Sequence, residues 1–260
     1  MGILERFSLE GKVAVVTGGA GKYGRQILAA LAEAGATTYV ASRNLKALEA
    51  VAAEHRALGQ DVTALQYDQG DEKSILALRD EILKRSGQVD VLVNNSVARI
   101  MKSYDDTAAA FEGSMHVNAT GLFLITRALG DVMAERGKGS IINIGSIYGM
   151  VGTDPTNYTG TSMGSWVPDY YFHKGGMINF TRFLGSYYGP KGVRCNCVSP
   201  GGFWEETMPE AFVRNYSSHT FMGRLANTSD LMGIIVLLAS DASSYITGVN
   251  VPVDGGYTAR

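Results

Sequence analysis

V-A-V-V-T-G-G-A-G-K-Y-G, Val13 to Gly24, is the stretch on which the reading of the fold turns. Val13 to Val16 is a short, wholly apolar run of strand formers, the pattern of a strand buried on both faces of a parallel sheet. Thr17 to Gly24 reads as a glycine-rich turn, and a helical pattern follows from Arg25 to about Ala34, stopping at Gly35. Strand, turn and helix in this order make an anion site. The glycines let backbone approach a pyrophosphate, and the free N–H groups and positive end of the helix hold it. A glycine-rich hexapeptide alone is more often an ordinary loop; the flanking elements give this one its meaning.

The same alternation continues outward. Thr38 to Ala41 predicts a second strand, ending in Ser42-Arg43-Asn44, before a helix from Leu45 to Leu58. In a dinucleotide fold the end of this strand meets the adenosine ribose, where an acid binds free hydroxyls and an arginine accommodates a 2′-phosphate. No Asp or Glu stands there, so Arg43 beside Ser42 favours NADPH over NADH; the plainer alternative is that Arg43 only caps the strand. Val62 to Tyr67 predicts a third strand, ending at Asp68-Gln69, with a helix from Glu72 to Arg85. Val89 to Val93 predicts a fourth, ending in Asn94-Asn95-Ser96. Asp68 and Asn95 thus fall at the carboxyl ends of strands, where ligands bind in such sheets, although both residue types also serve simply to satisfy turns.

A long helix follows, with Met115 to Gly121 in its middle. Asn118 and Gly121 are poor helix formers there. Either the helix kinks, with the asparagine amide binding a freed carbonyl and a water, or it packs closely on a neighbour. Ser140 to Ile144 predicts the fifth strand, which delivers Gly145 and Ser146. Tyr170 and Lys174 lie four apart in a predicted helix running to about Tyr188, so the phenol and the ammonium share a face. A cation beside a phenol favours phenolate and readies it for acid–base work, while Ser146 could hydrogen-bond a substrate oxygen. Tyr171 is a decoy, because its i+4 partner is Gly175. Val193 to Val198 predicts the sixth strand, ending in Ser199-Pro200-Gly201-Gly202. From Phe203 to about Arg224 the pattern weakens, as in a mobile lid. Leu231 to Ala239 predicts a last helix and Gly248 to Val253 a seventh strand.

The chain of 260 residues, 45% apolar, with no linker, predicts one α/β domain: a doubly wound parallel sheet of about seven strands with helices on both faces. A net charge of −2 without basic runs argues against nucleic-acid or polybasic membrane binding. No signal peptide is visible, and the late apolar run Gly233 to Ala239 is too short to span a bilayer, which points to the cytoplasm. Cys195 and Cys197 share one side of a strand, where burial explains them; His55, His116, His173 and His219 show no ligand spacing with them, so no metal is expected.

These segments, in register over nearly the whole chain, resemble the short-chain dehydrogenase/reductase family, and within it gluconate 5-dehydrogenase-like and acidic-sugar-pathway reductases. The motifs are T-G-G-A-G-K-Y-G, Asp68, N-N-S at Asn94, N-A at Asn118, Ser146, Tyr170 with Lys174, S-P-G-G at Ser199 and the terminal V-D-G-G. The resemblance implies that Tyr170 exchanges a proton with the substrate oxygen and that Lys174 binds the nicotinamide ribose and lowers the tyrosine pKa. It further implies that Ser146 orients the substrate and that Asn118 holds a water leading from Lys174 to solvent. For the cofactor it implies Gly18, Lys22, Tyr23 and Gly24 at the phosphates. Ser42, Arg43, Asn44, Asp68 and Gln69 fall at the adenosine. Asn95, Ser96, Val97, Tyr170, Lys174, Pro200, Gly201 and Phe203 fall toward the nicotinamide. The expected cofactor is NADP(H), with NAD(H) possible, and the expected assembly a homotetramer or dimer.

Three departures stand out. Lys22 replaces a usual glycine and could reach a phosphate; Ser96-Val97 replaces the usual small pair; and an insertion from about Thr153 to Trp166 separates Ser146 from Tyr170. The segment from about 151 to 168 carries Tyr158, Thr161, Ser162 and Trp166, and its hydroxyls and rings suit a polyhydroxylated ligand. A subunit contact is the competing reading. Ser146, Tyr148, Tyr158, Trp166 and Trp204 are therefore the expected substrate residues. The expected reaction interconverts a secondary alcohol and a ketone on a sugar acid, polyol or other carbohydrate. The alternatives are a 3-oxoacyl thioester reductase and a non-catalytic dinucleotide-binding regulator.

Overall fold

A computed structural model describes residues 2–164 and 166–259. Its sheet has seven strands in the order β3-β2-β1-β4-β5-β6-β7, every neighbouring pair parallel. The strands are β1 (Val13–Thr17), β2 (Thr37–Ser42), β3 (Val62–Gln66), β4 (Val91–Asn94), β5 (Gly139–Ile144), β6 (Val193–Pro200) and β7 (Asn250–Val253). The helices are α1 (Lys22–Glu33), α2 (Leu45–Ala57), α3 (Glu72–Ser86), α4 (Ala108–Met115), α5 (Leu122–Glu135), α6 (Pro168–Tyr188), α7 (Glu210–Ser218) and α8 (Met232–Ala239).

Period-two alternation along the strands divides the core. Val13 and Val15 pack with Ile82 of α3, Leu129 of α5 and Leu184 of α6. Ala14 and Val16 pack with Ile27 of α1 and Ile235 of α8 on the other face. Because β1 lies between β2 and β4, the strand order reverses beside it, and a crevice opens at the carboxyl ends of these strands. Cys195 and Cys197 are free and buried, and burial pushes both thiols up in pKa.

The structure corrects the expected elements in three places. Helix α1 begins at Lys22, three residues before the expected Arg25, so the end of the glycine-rich turn already forms the first helical turn. Gly24 permits this: a Cβ there would lie 2.3 Å from the Gly18 carbonyl oxygen. The long helix is interrupted by a π turn, His116–Gly121. The weakly patterned 203–224 segment contains α7, whose Phe212 and Tyr216 are buried against Ile147, Leu225 and Tyr257.

Candidate active site

A cavity of about 720 Å³ runs along the carboxyl ends of the strands. Gly18, Lys22, Tyr23 and Gly24 from the turn and α1 line it, with Ser42, Arg43 and Asn44 after β2 and Asp68 and Gln69 after β3. Asn95, Ser96 and Val97 after β4, Ser146, Tyr148, Tyr158, Tyr170 and Lys174, and Pro200, Gly201 and Phe203 after β6 complete that set. Residues from distant parts of the sequence thus meet in one crevice.

Several of them are already occupied in holding the crevice together. Asn95 Nδ2 donates to the Thr17 and Gly18 carbonyls at 3.0 and 2.9 Å, tying the β4 loop to the glycine-rich turn. Asn44 Oδ1 caps α2 by accepting from the Ala47 N–H, and Asp68 Oδ1 accepts from the Gly70 N–H at 2.9 Å. Tyr23 donates to the Gly201 carbonyl at 2.8 Å and packs edge-on against Phe203. Lys22 is ion-paired with Glu205, so its ammonium is directed to the segment after β6. Arg43, by contrast, makes no side-chain hydrogen bond or ion pair among the described residues.

At the other end, Lys174 is buried and donates to the Ile144 carbonyl at 2.5 Å. Its ammonium lies 5.8 Å from the centre of the Tyr170 ring. Burial lowers the Lys174 pKa, and Tyr170 opposes that shift. Ser146 Oγ accepts from the Tyr148 N–H at 3.2 Å, which leaves the serine's own proton available to a ligand. Tyr148 and Tyr158 share a hydroxyl–hydroxyl bond of 2.9 Å, and Tyr158 packs on Phe212 of α7. The inserted segment is pinned from below: Asn157, fully buried, donates to the Tyr257 hydroxyl at 2.7 Å and its Oδ1 lies 2.7 Å from His219 Nδ1. Tyr171 faces away from this centre, bonded to Thr153 and tilted against Tyr148.

Three expected residues are placed differently. Asn118 does not line the cavity; its Oδ1 accepts the Ala98 N–H and its Nδ2 donates to the Ala98 carbonyl, each at 2.8 Å. The kink is real, but it is the amide of Gln69, not that of Asn118, that binds the π-turn carbonyl of Val117, at 2.9 Å. Close packing belongs to Gly121, where a Cβ would fall 2.1 Å from the Gln69 carbonyl oxygen. Trp166 and Trp204, 59% and 50% exposed, stay outside the cavity. Trp204 follows Phe203 in a bridge to Ala226, and successive residues of an extended segment face opposite ways.

The sequence reading missed Met208, Phe212 and above all Arg99. The Arg99 guanidinium carbon stands 4.8 Å from the centre of the Tyr170 ring, and its side chain pairs with no carboxylate among the described residues. Its only sequence signal was position: it follows N-N-S-V-A at the end of β4.

Comparison with known proteins identifies the family. Residues 22–258 match the family model described as Enoyl-(Acyl carrier protein) reductase, and the chain belongs to the short-chain dehydrogenase/reductase family. It is accordingly a nicotinamide-dinucleotide-dependent oxidoreductase that interconverts a secondary alcohol and a ketone. It is 33% identical to a galactitol 2-dehydrogenase (L-tagatose-forming) of Cereibacter sphaeroides, over 97% of each chain. It is also 33% identical to a 2-dehydro-3-deoxy-D-gluconate 5-dehydrogenase of Pseudoalteromonas atlantica, over 99% of this chain and 100% of that one. The structure of a gluconate 5-dehydrogenase from Burkholderia cenocepacia in complex with NADP and tartrate superposes with a TM-score of 0.89 over 100% of both chains at 28% identity.

Proposed function

We propose that this enzyme acts on a sugar acid, at a secondary C–OH carbon, and prefers NADP(H) to NAD(H). The observation that carries the substrate is Arg99. A guanidinium without a carboxylate partner among the described residues, lying over the ring of the proton-exchanging tyrosine, suits a substrate carboxylate, which it can bind with two parallel hydrogen bonds. Among the described residues lining the cavity the one acid is Asp68, at the far end after β3. A polyhydroxylated acid also fits the hydroxyl and ring surface of Ser146, Tyr148 and Tyr158. The names of the relatives, one acting on a polyol and one on a deoxygluconate, support the same chemistry. NADP(H) is supported by the Arg43 guanidinium beside Ser42, which has no carboxylate partner among the described residues, and by the NADP bound to the structural neighbour.

The residues fit that cofactor. The α1 N-terminus would hold its phosphates, Arg43 its 2′-phosphate and the backbone of Pro200, Gly201 and Phe203 its nicotinamide end. When bound, it supplies or removes the hydride. Tyr170 donates a proton to the substrate oxygen, or takes one from it. Ser146 donates a hydrogen bond to the same oxygen, and the ammonium of Lys174 binds the ribose while keeping a positive field on the phenol. Asn118 does not line the site; its amide acts by holding the Ala98 backbone beside it. Tyr158, in the segment from about 151 to 168, lines the substrate end, residues 203–224 carry the lid, and the enzyme works in the cytoplasm. Exposed Phe123, Phe172 and Phe183 on α5 and α6 are the faces through which it forms a tetramer or dimer.

The test is a titration with NADPH and NADH separately, then oxidation of D-gluconate and of D-glucitol, which lacks only the carboxylate. Tighter NADPH binding and faster turnover of the acid are expected. Tighter NADH binding overturns the cofactor reading, and faster turnover of the polyol overturns the acid. Activity confined to acyl thioesters would replace the carbohydrate reading altogether, and failure to bind either cofactor would favour a non-catalytic role.

A further inference from the structure

Between α6 and α4 runs a chain of buried polar contacts that the reaction above does not use. Asp169, the neighbour of Tyr170, is 2% exposed, and its Oδ2 accepts the Ser114 hydroxyl at 2.5 Å. Ser114 Oγ in turn accepts Asn118 Nδ2 at 3.0 Å, and Asn118 grips the backbone of Ala98 in both directions. The next residue is Arg99, whose guanidinium covers the Tyr170 ring. The chain therefore leaves α6 one residue before Tyr170 and returns to the face of that tyrosine from the β4 loop.

The order of donors is forced. A serine hydroxyl has one proton; given to the Asp169 oxygen, it leaves Ser114 only lone pairs, so the contact with Asn118 must be a donation from the amide. A π turn replaces the α-helix's i→i+4 bonds with i→i+5 ones and is rare, so side-chain anchors help fix where it sits. The arrangement is also unfavourable for stability taken alone. Asp169 Oδ1 has no partner among the described residues, nor do the two ring nitrogens of buried His173, one helical turn further on. A buried carboxylate with an unpaired oxygen destabilises a fold, and an apolar or neutral replacement is often better tolerated.

We propose that Asp169 and Ser114 are positioning residues for the reaction: they hold the Asn118 turn, and through it the loop bearing Arg99, in register with Tyr170. The inference rests on the roles given above to Tyr170 and Arg99. It predicts an unusual separation of activity from stability. Asp169→Asn keeps the shape but replaces an acceptor-only group, so kcat falls by roughly 10- to 100-fold from misplacement of the reacting groups. The thermal midpoint is unchanged or raised, and the KM for NADPH is unchanged. A purely structural residue would show the reverse, a lowered midpoint with kcat retained, and that result overturns the proposal.

Ser114→Ala should lose kcat as Asp169→Asn does, though with a lowered midpoint because it leaves the buried carboxylate without its hydroxyl partner, and the kcat of the double variant should be no worse than that of either single one, because the two act as one chain; additive losses in kcat would also overturn the proposal. A readout without substrate separates failure of this inference from failure of the proposed function. The Asn118 side-chain amide protons, followed by NMR, should exchange at least about tenfold faster in Asp169→Asn than in wild type, since an anchor outside the site has been removed. Equal exchange rates would sink the positioning role even if the dehydrogenase reading stands.

Discussion

The Arg99 guanidinium carbon stands 4.8 Å from the centre of the Tyr170 ring, and the ammonium of buried Lys174 stands 5.8 Å from it. The two cations differ in what they can still bind: Lys174 already donates to the Ile144 carbonyl, whereas the Arg99 side chain pairs with no carboxylate among the described residues. A charge-assisted hydrogen bond is worth about 1.5–3 kcal/mol, so Arg99→Gln should raise the KM for D-gluconate by roughly 10- to 100-fold and leave D-glucitol almost unaffected. Steady-state kinetics on both substrates checks this, and equal effects on the two would show that Arg99 does not read the carboxylate. Tyr170 and Lys174 were legible in the sequence because helical geometry alone puts i and i+4 on one face. Arg99 was not, because its partner lies on a different element and only the folded β4 loop brings them together.

Among elements, the tie between α1 and the segment after β6 is the least expected. Lys22 reads as a phosphate ligand, yet it pairs with Glu205, and neighbouring Tyr23 binds Gly201 and packs on Phe203. Both charges are substantially exposed, at 55% and 34%, so the pair itself contributes little, on the order of 0–1 kcal/mol. Its electrostatic effect on an anionic cofactor has a definite sign. Glu205→Gln leaves Lys22 facing the phosphates and should tighten NADPH binding about threefold at low salt; Lys22→Ala should weaken it by a similar factor, and both effects should fade in roughly 1 M salt. Isothermal titration at two ionic strengths distinguishes this from a purely mechanical tie, in which both variants weaken binding alike. Helix α7 was missed at the same scale. Its signal is one pair of buried aromatics, Phe212 and Tyr216, too short a period to stand out among the prolines and polar residues around it.

At the scale of the whole molecule, burial of His173 couples folding to pH. Burial chiefly, then the cations Lys174 and Arg99, push its pKa down to about 3 from 6.5. Above pH 6.5 the imidazole is neutral in both states and its contribution to stability is complete. As pH falls from 6.5 toward 3, the unfolded chain takes up a proton that the folded one refuses, so stability declines by up to about 1.4 kcal/mol per pH unit. Urea denaturation in steps from pH 7 to 5 should show this slope, and His173→Leu should flatten it; an unchanged slope would mean that other groups carry it. The carboxylates of Asp154, Asp230 and Asp241 are held below the usual carboxylate range, Asp154 chiefly by its hydrogen bond from Thr156, Asp230 by Arg224 and Asp241 by Lys12, so they stay ionised between pH 7 and 5. The sequence by itself determined the strand-to-helix alternation, the glycine-rich turn and the pairing of Tyr170 with Lys174, because each depends on periodicity or on contacts only a few residues apart. Tertiary structure alone decided that Asn118 grips Ala98, that Lys22 turns to Glu205, that Trp166 and Trp204 stay outside, and that Arg99 stands over Tyr170. Those placements are set by contacts between separate elements, whose partners are selected by how the elements pack on the sheet, which no local spacing records.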